Sequence, residues 1–191
     1  INHSYSYGIR VYQGSGVRFG GKHIENTTVK GTHSPVLGSN IFVSSSTMNE
    51  VYDCNVSGSV GIGVYIFNSN DCEVGRTEVS GSQTGAAIAI DASQDCLVAN
   101  NTVINSYDGI QVIAGSTNAM VSGNRVQDND VGLGNGEGIS VESSSQSKVL
   151  NNILNGNNRG INIESSDDCF VENNTIMNHV EWGGIRIRTS S

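Results

Sequence analysis

Gly160 to Ile176 reads GINIESSDDCFVENNTI, and the chain writes nearly the same phrase several times upstream. The copies are GISVESSSQSKVLNNIL at Gly138 to Leu154, AIAIDASQDCLVANNTV at Ala87 to Val103 and GVYIFNSNDCEVGRTEV at Gly63 to Val79, with GIQVIAGSTNAMVSGNRV at Gly109 to Val126 one residue longer. Self-similarity at such a spacing marks a repeat architecture. Within one copy the apolar residues fall at Ile161 and Ile163, then at Cys169 and Val171, then at Ile176. A step of two is the strand period, and the Ser/Asp and Asn clusters between the steps are turn formers. No segment shows the i, i+3, i+4, i+7 pattern of an amphipathic helix. One coil of roughly 22 residues cannot bury its own apolar face, so the copies must stack, each strand pairing with its equivalent about 4.8 Å away.

Stacking turns equivalent positions into columns. A small residue, Gly8, Gly63, Gly109, Gly138, Gly160 and Gly184, precedes the first strand, with Ala87 and Asn40 as exceptions. It is expected where the chain turns sharply onto the strand. Two inward columns follow, Ile9, Ile41, Val64, Ile88, Ile110, Ile139, Ile161, Ile185 and Val11, Val43, Ile66, Ile90, Val112, Val141, Ile163, Ile187. A third carries Val51, Val74, Val98, Val121, Val149 and Val171, and three residues beyond it come Cys54, Thr77, Asn101, Asn124, Asn152 and Asn174. Four consecutive asparagines at one turn can hydrogen-bond amide to amide along the stack.

These residues resemble the right-handed parallel β-helix of the pectate-lyase-like superfamily over nearly the whole chain, from about Gly8 to Ile187. The expected fold is therefore all-β: a single-stranded right-handed solenoid with three short strands per coil, about seven coils and one domain over residues 1–191. Neither end shows a capping helix or polar terminal coil, so an excerpt of a longer chain is expected. The resemblance fixes no reaction, since lyases, hydrolases, epimerases, phage tailspikes and non-catalytic modules share the fold.

Composition narrows the partners. A formal net charge of −8 argues against nucleic acid and anionic membrane, both of which call for a basic surface. It also repels an acidic polysaccharide on average, unless arginines cluster locally. There is no run of 18 apolar residues, so no membrane insertion is expected, and no charged n-region introduces a signal peptide. Cys72, Cys96 and Cys169 share an inward column and Cys54 stands in the asparagine column. Buried free thiols fit better than a disulfide, because in-register Cβ vectors run parallel. Asp71, Asp95 and Asp168 begin the second strand in three coils. Local turn hydrogen bonds account for them, with a calcium site as the alternative, and no cofactor or other metal is expected.

The chemistry is sought on the outer face of the first strand, which two insertions flank: Lys30 to Asn40, and Gln127 to Glu137 (QDNDVGLGNGE). Its outward columns read Arg10, Phe42, Tyr65, Ala89, Gln111, Ser140, Asn162, Arg186 and Tyr12, Ser44, Phe67, Asp91, Ile113, Glu142, Glu164, Arg188. In the resembled lyases and epimerases this face is the polysaccharide groove. Candidate catalytic residues are Asp91, Glu142, Glu164 and His179; candidate sugar-binding residues are Tyr65, Phe67, Gln111, Asn162, Trp182, Arg186 and Arg188. Glu142 and Glu164, one coil apart, can bring carboxyls to about 5 Å, and Asp91 and Glu142, two coils apart, to about 9.6 Å, near the retaining and inverting glycosidase separations. The alternative is a solvated sheet face in which Arg188 and Glu164 form a structural ion pair. No DPHD element of alginate epimerases, NTD/DD/GHG/RIK set of polygalacturonases or RxPxxR of pectate lyases is present.

The expectation is thus a carbohydrate-facing module of an extracellular, cell-surface or virion protein that binds, and in the enzymatic case cleaves or modifies, a polysaccharide. One assembly open to it is a homotrimer through flanking regions. The rival is a non-catalytic structural or adhesive solenoid of a surface or tail fibre.

Overall fold

A computed structural model describes residues 2–4, 7–19, 28–32, 38–130, 136–180 and 183–189. All regular elements among them are strands, and these fall into three parallel sheets that run the length of a solenoid. The first-strand sheet stacks Tyr7–Tyr12, Ser39–Ser44, Val64–Phe67, Ala86–Asp91, Asp108–Ile113, Glu137–Glu142, Arg159–Glu164 and Ile185–Arg188. The second stacks seven strands from Arg18–Phe19 to Phe170–Glu172, and the third eight from Asn2–Ser4 to Thr175–Met177. Successive coils pair in register, Ile88 with Val64 and Ile110, and Ile161 with Ile139 and Ile185. The expected columns are therefore the real ones, and Ile41, Ile66, Ile88, Ile110, Ile139 and Leu154 are fully buried in one continuous core.

Each coil turns three corners, and each corner carries its own polar ladder. At the corner between second and third sheets the Asn101 Nδ2 donates to the Val74 carbonyl and to Asn124 Oδ1, and Asn124 and Asn152 repeat the arrangement toward Asn174. Between first and second sheets the backbone N–H of Ser46, Ser69 and Ser93 each donates to the serine hydroxyl one coil on, at Ser69, Ser93 and Ser116. Between third and first sheets Ser106 donates its N–H to Asn129 Oδ1 and Asn129 to Asn157 Oδ1. Corner residues such as Ser45 and Asn68 still donate to a backbone carbonyl of the next coil, and at the ladder positions between them small polar side chains supply the acceptor instead.

Two local expectations are refined. Gly63, Gly109 and Gly160 do not need left-handed backbone; a Cβ on Gly109 would sit 2.1 Å from the Gly138 carbonyl oxygen, and one on Gly160 2.1 Å from that of Gly184. Close approach of adjacent coils, rather than the turn, excludes side chains there. Gly109→Ala is accordingly expected to cost roughly 2–3 kcal/mol, read as a lower urea midpoint at unchanged slope. Asp71, Asp95 and Asp168 have φ of 52°, 55° and 53° and serve as left-handed turn residues. The cysteines are free thiols, and the Cys72 and Cys96 Sγ atoms donate to the carbonyls two residues back, at Asn70 and Gln94.

Candidate functional site

On the first-strand sheet, residues that alternate with the core point outward. At one end Tyr7, Phe42, Tyr65 and Phe67 form a row with ring centroids 4.8, 5.3 and 5.8 Å apart, the first pair stacked at 10°. The Arg10 guanidinium lies 5.5 Å from the Tyr7 ring, 5.1 Å from Tyr12 and 5.9 Å from Phe42. Beside the row opens a cleft of about 390 Å³, lined by Tyr7, Phe42, Tyr65, Phe67, Ile62 and Thr84 among others. An apolar wall of ring faces with hydroxyl tips is suited to stacking against a sugar. The Tyr65 hydroxyl donates to Asp91 Oδ2 at 2.6 Å, and burial together with this bond pushes its pKa above the ordinary value.

Further along the same face carboxylates gather. Asp108 Oδ1 accepts the Glu137 N–H at 3.0 Å and Asp108 Oδ2 accepts the Gln111 amide at 3.1 Å. Glu137 is held by Arg159 at 2.8 Å. Burial pushes the Asp108 carboxyl up to about 6, with the Glu137 charge adding to the shift and the Glu137 N–H and Arg159 opposing it. Glu142 is raised too, first by burial and then by the charges of Glu137 and Glu164. A carboxyl poised near neutral pH beside other carboxylates is the usual equipment of acid/base work.

Most of the predicted residues fall into these two groups. Tyr65 and Phe67 stand in the aromatic row, with Asp91 tied to Tyr65. Gln111 is bonded to Asp108, Glu142 and Glu164 are register partners, and Asn162 pairs with Ser140 and Arg186. Arg188 approaches Glu164 at 3.9 Å, both more than a third exposed, an ion pair of little energetic weight. His179 lies with the corner ladder: its Nδ1 is 3.0 Å from the Asn157 carbonyl oxygen. Trp182 lies outside the described residues, as do 33–37 and 131–135 of the two insertions. Asp108, Glu137 and Arg159 were not singled out from sequence. The available signal was the residue before each corner glycine, which is Asp, Glu and Arg in three consecutive coils.

No curated protein matches the chain in sequence. Among solved structures it is similar to DFA-IIIase from Arthrobacter chlorophenolicus A6 without its lid, with a TM-score of 0.79 and 15% identity over 96% of this chain and 48% of that one. It is also similar to the periplasmic alginate epimerase AlgG (TM-score 0.61, 15% identity, 97% and 47%) and to pectate lyase Pel9A (0.54, 8%, 87% and 57%). The chain thus spans about half the length of the structures it matches, and at these identities the likeness is one of fold. The model of the right handed beta helix region matches residues 1–136 and again 39–191. Three in-register parallel sheets and a family match that runs from end to end agree, and the chain belongs to the right-handed β-helix family.

Proposed function

We propose that this chain is the carbohydrate-facing β-helix module of an extracellular, cell-surface or virion protein, and that a polysaccharide lies along its first-strand sheet. The observation that carries this reading is the continuity of one face: an aromatic row with a cleft of about 390 Å³ leads, coil by coil, to the carboxylate group at Asp108, Glu137 and Glu142. Sugar rings stack on Tyr65 and Phe67, while Gln111, Asn162, Arg186 and Arg188 offer hydrogen bonds further on. Where the polymer is also cleaved or modified, Asp108 and Glu142 are the groups fitted to hold and return a proton, with Asp91 and Glu164 as the accompanying carboxylates. The similar structures named as an alginate epimerase and a pectate lyase support a carbohydrate partner.

The test is equilibrium binding of a glycan panel to the chain and to Tyr65→Ala. Loss of the ring is expected to weaken the best-bound glycan roughly tenfold, the worth of one good aromatic contact. Unchanged affinity in Tyr65→Ala, Glu142→Gln and Glu164→Gln alike would favour the structural or adhesive solenoid instead. Assembly as a homotrimer is compatible with the proposal and is read separately by sedimentation.

A further inference from the structure

Ionised side chains are divided unevenly along the solenoid. Four of the ten Lys and Arg fall within residues 1–49, as Arg10, Arg18, Lys22 and Lys30, against one of the eighteen Asp and Glu, Glu25. Four positive charges against one leave that segment at +3, and six against seventeen leave the rest of the chain at −11. On the first-strand sheet the division is sharp. The outward columns run Arg10, Phe42, Tyr65 and Tyr12, Ser44, Phe67 before the first carboxylate, Asp91, which stands three coils from Tyr12 through Ser44 and Phe67. Three coils are about 14 Å, beyond the roughly 8 Å over which exposed charges act at physiological salt.

Arg10 is the cation that this division leaves open. Its side chain is exposed, and its guanidinium lies 5.1, 5.5 and 5.9 Å from the ring centroids of Tyr12, Tyr7 and Phe42. Rings hold a guanidinium by its face and leave the N–H edge free to donate. Among the described residues Arg10 forms no ion pair. Tyr7 and Phe42 are also walls of the cleft of about 390 Å³, so the open edge stands beside the space in which a sugar would lie. The other arginines of the face are set among acids. Arg159 is bonded to Glu137 at 2.8 Å and Arg188 is 3.9 Å from Glu164. Arg186 has no ion pair among the described residues, but it is the register partner of Asn162, whose own strand carries Glu164.

On the reading that this face takes a glycan, we infer that Arg10 is an oxyanion subsite, and that the sugar unit in the adjoining cleft carries a carboxylate, sulfate ester or phosphate ester group which the Arg10 guanidinium receives. The planar fork of the guanidinium donates two N–H groups to two oxygens of such a group, and the Tyr7, Tyr12 and Phe42 rings hold the fork in place before the ligand arrives. With no carboxylate in the outward columns of the first three coils, the ligand's charge is spared the repulsion that the net charge of −8 imposes over the rest of the chain. The glycan thereby acquires a direction, its anionic group at the aromatic end and its following units over Asp108 and Glu142.

Titration calorimetry of the whole chain in about 20 mM NaCl, where screening is weak, tests this with three matched pairs of polymers: polygalacturonate and its carboxyl-reduced form, dextran sulfate and dextran, and a phosphomannan and its dephosphorylated form. At least one anionic member is expected to bind roughly tenfold more tightly than its neutral counterpart, and the pair that shows the difference identifies the anion. Arg10→Gln is expected to remove most of that difference and to leave the neutral member's affinity unchanged. A merely structural arginine would not give this pattern, because loosened rings would weaken both members alike. Arg10→Lys keeps the charge without the fork and is expected to restore part of the difference. Equal affinities within every pair overturn the inference and leave the proposed glycan face standing, as does a difference that Arg10→Gln leaves intact, whether or not Arg186→Gln removes it. Binding of no polymer in either form removes the proposed function and this inference with it.

Discussion

Replacing Asn152 by alanine is expected to lower the unfolding free energy by about 3 kcal/mol, the upper end of what one column of asparagines suggests. The asparagine joins three coils. Its Nδ2 donates to the Val121 carbonyl at 2.9 Å and to Asn174 Oδ1 at 2.9 Å. Its Oδ1 accepts the Asn124 N–H at 2.9 Å and the Asn124 Nδ2 at 3.0 Å. Alanine leaves these groups without partners, and Asn124 and Asn152 are each only 1% exposed, so water does not replace the bonds freely. In a solenoid the damage is confined to the two neighbouring coil interfaces but is felt there in full. The melting temperature should fall by roughly 6–12 °C, given the size of the chain. Asn152→Thr is the informative companion. In the same column Thr77 Oγ1 already accepts the Cys54 N–H at 3.3 Å, so threonine should restore part of the loss. Equal melting of all three proteins would mean that the ladder carries no stability.

The second large effect has the opposite sign. Asp108 has a folded pKa of about 6, above the roughly 3.9 of an unfolded aspartate. Its protonated form is the one the fold prefers. The stability it lends is therefore fully present below about pH 4 and is lost as pH rises through about 6, in all by roughly 3 kcal/mol for a displacement of about two units. Asp108→Asn keeps a neutral side chain with an acceptor for the Glu137 N–H, and with the Gln111 amide turned over its new NH2 donates to the Gln111 oxygen in place of the present bond. It is expected to be about 2–3 kcal/mol more stable than the unaltered chain at pH 8 and no more stable at pH 4. Urea midpoints across that range decide it, and parallel curves for the two proteins would mean that Asp108 is not held neutral. Where the chain turns over a glycan, the same substitution should cost about 10²–10⁴-fold in rate, the range for loss of a general acid or base. Stability gained with activity lost is the pattern of a strained functional site.

The fold was legible because strand period and repeat period reinforce each other. The counterparts of Ile161, Ile163 and Val171 recur from coil to coil at the same offsets, with one extra residue between Ile110 and Val121, so the register could be written down column by column. The asparagine ladder was legible because four asparagines in one column are improbable as loop residues. The serine ladder through Ser69, Ser93 and Ser116 was not, since serines in turns look alike whether bonded or solvated. The carboxylate group was hidden by a break in alternation. Counting by twos from Gln111 places Gly109 outward and Asp108 inward. The space beside Gly109 is instead filled from inside, by Val126 and the Gly138 carbonyl, while Asp108 meets the Gln111 amide on the outer face. A glycine that faces inward shifts the phase of the residue before it, and Asp108, Glu137 and Arg159 all stand at that shifted position. His179 shows the converse: spacing put it near the face, but its Nδ1 lies at the Asn157 carbonyl.

The most direct measurement of the account is the position of a bound oligosaccharide in a crystal of the chain soaked with the best-binding glycan of the panel. Sugar rings are expected along the first-strand sheet, one stacked near Tyr65 and another beside Glu142. A saccharide seated on the second or third sheet, or in a cleft between subunits, with the first-strand face bare, would contradict it.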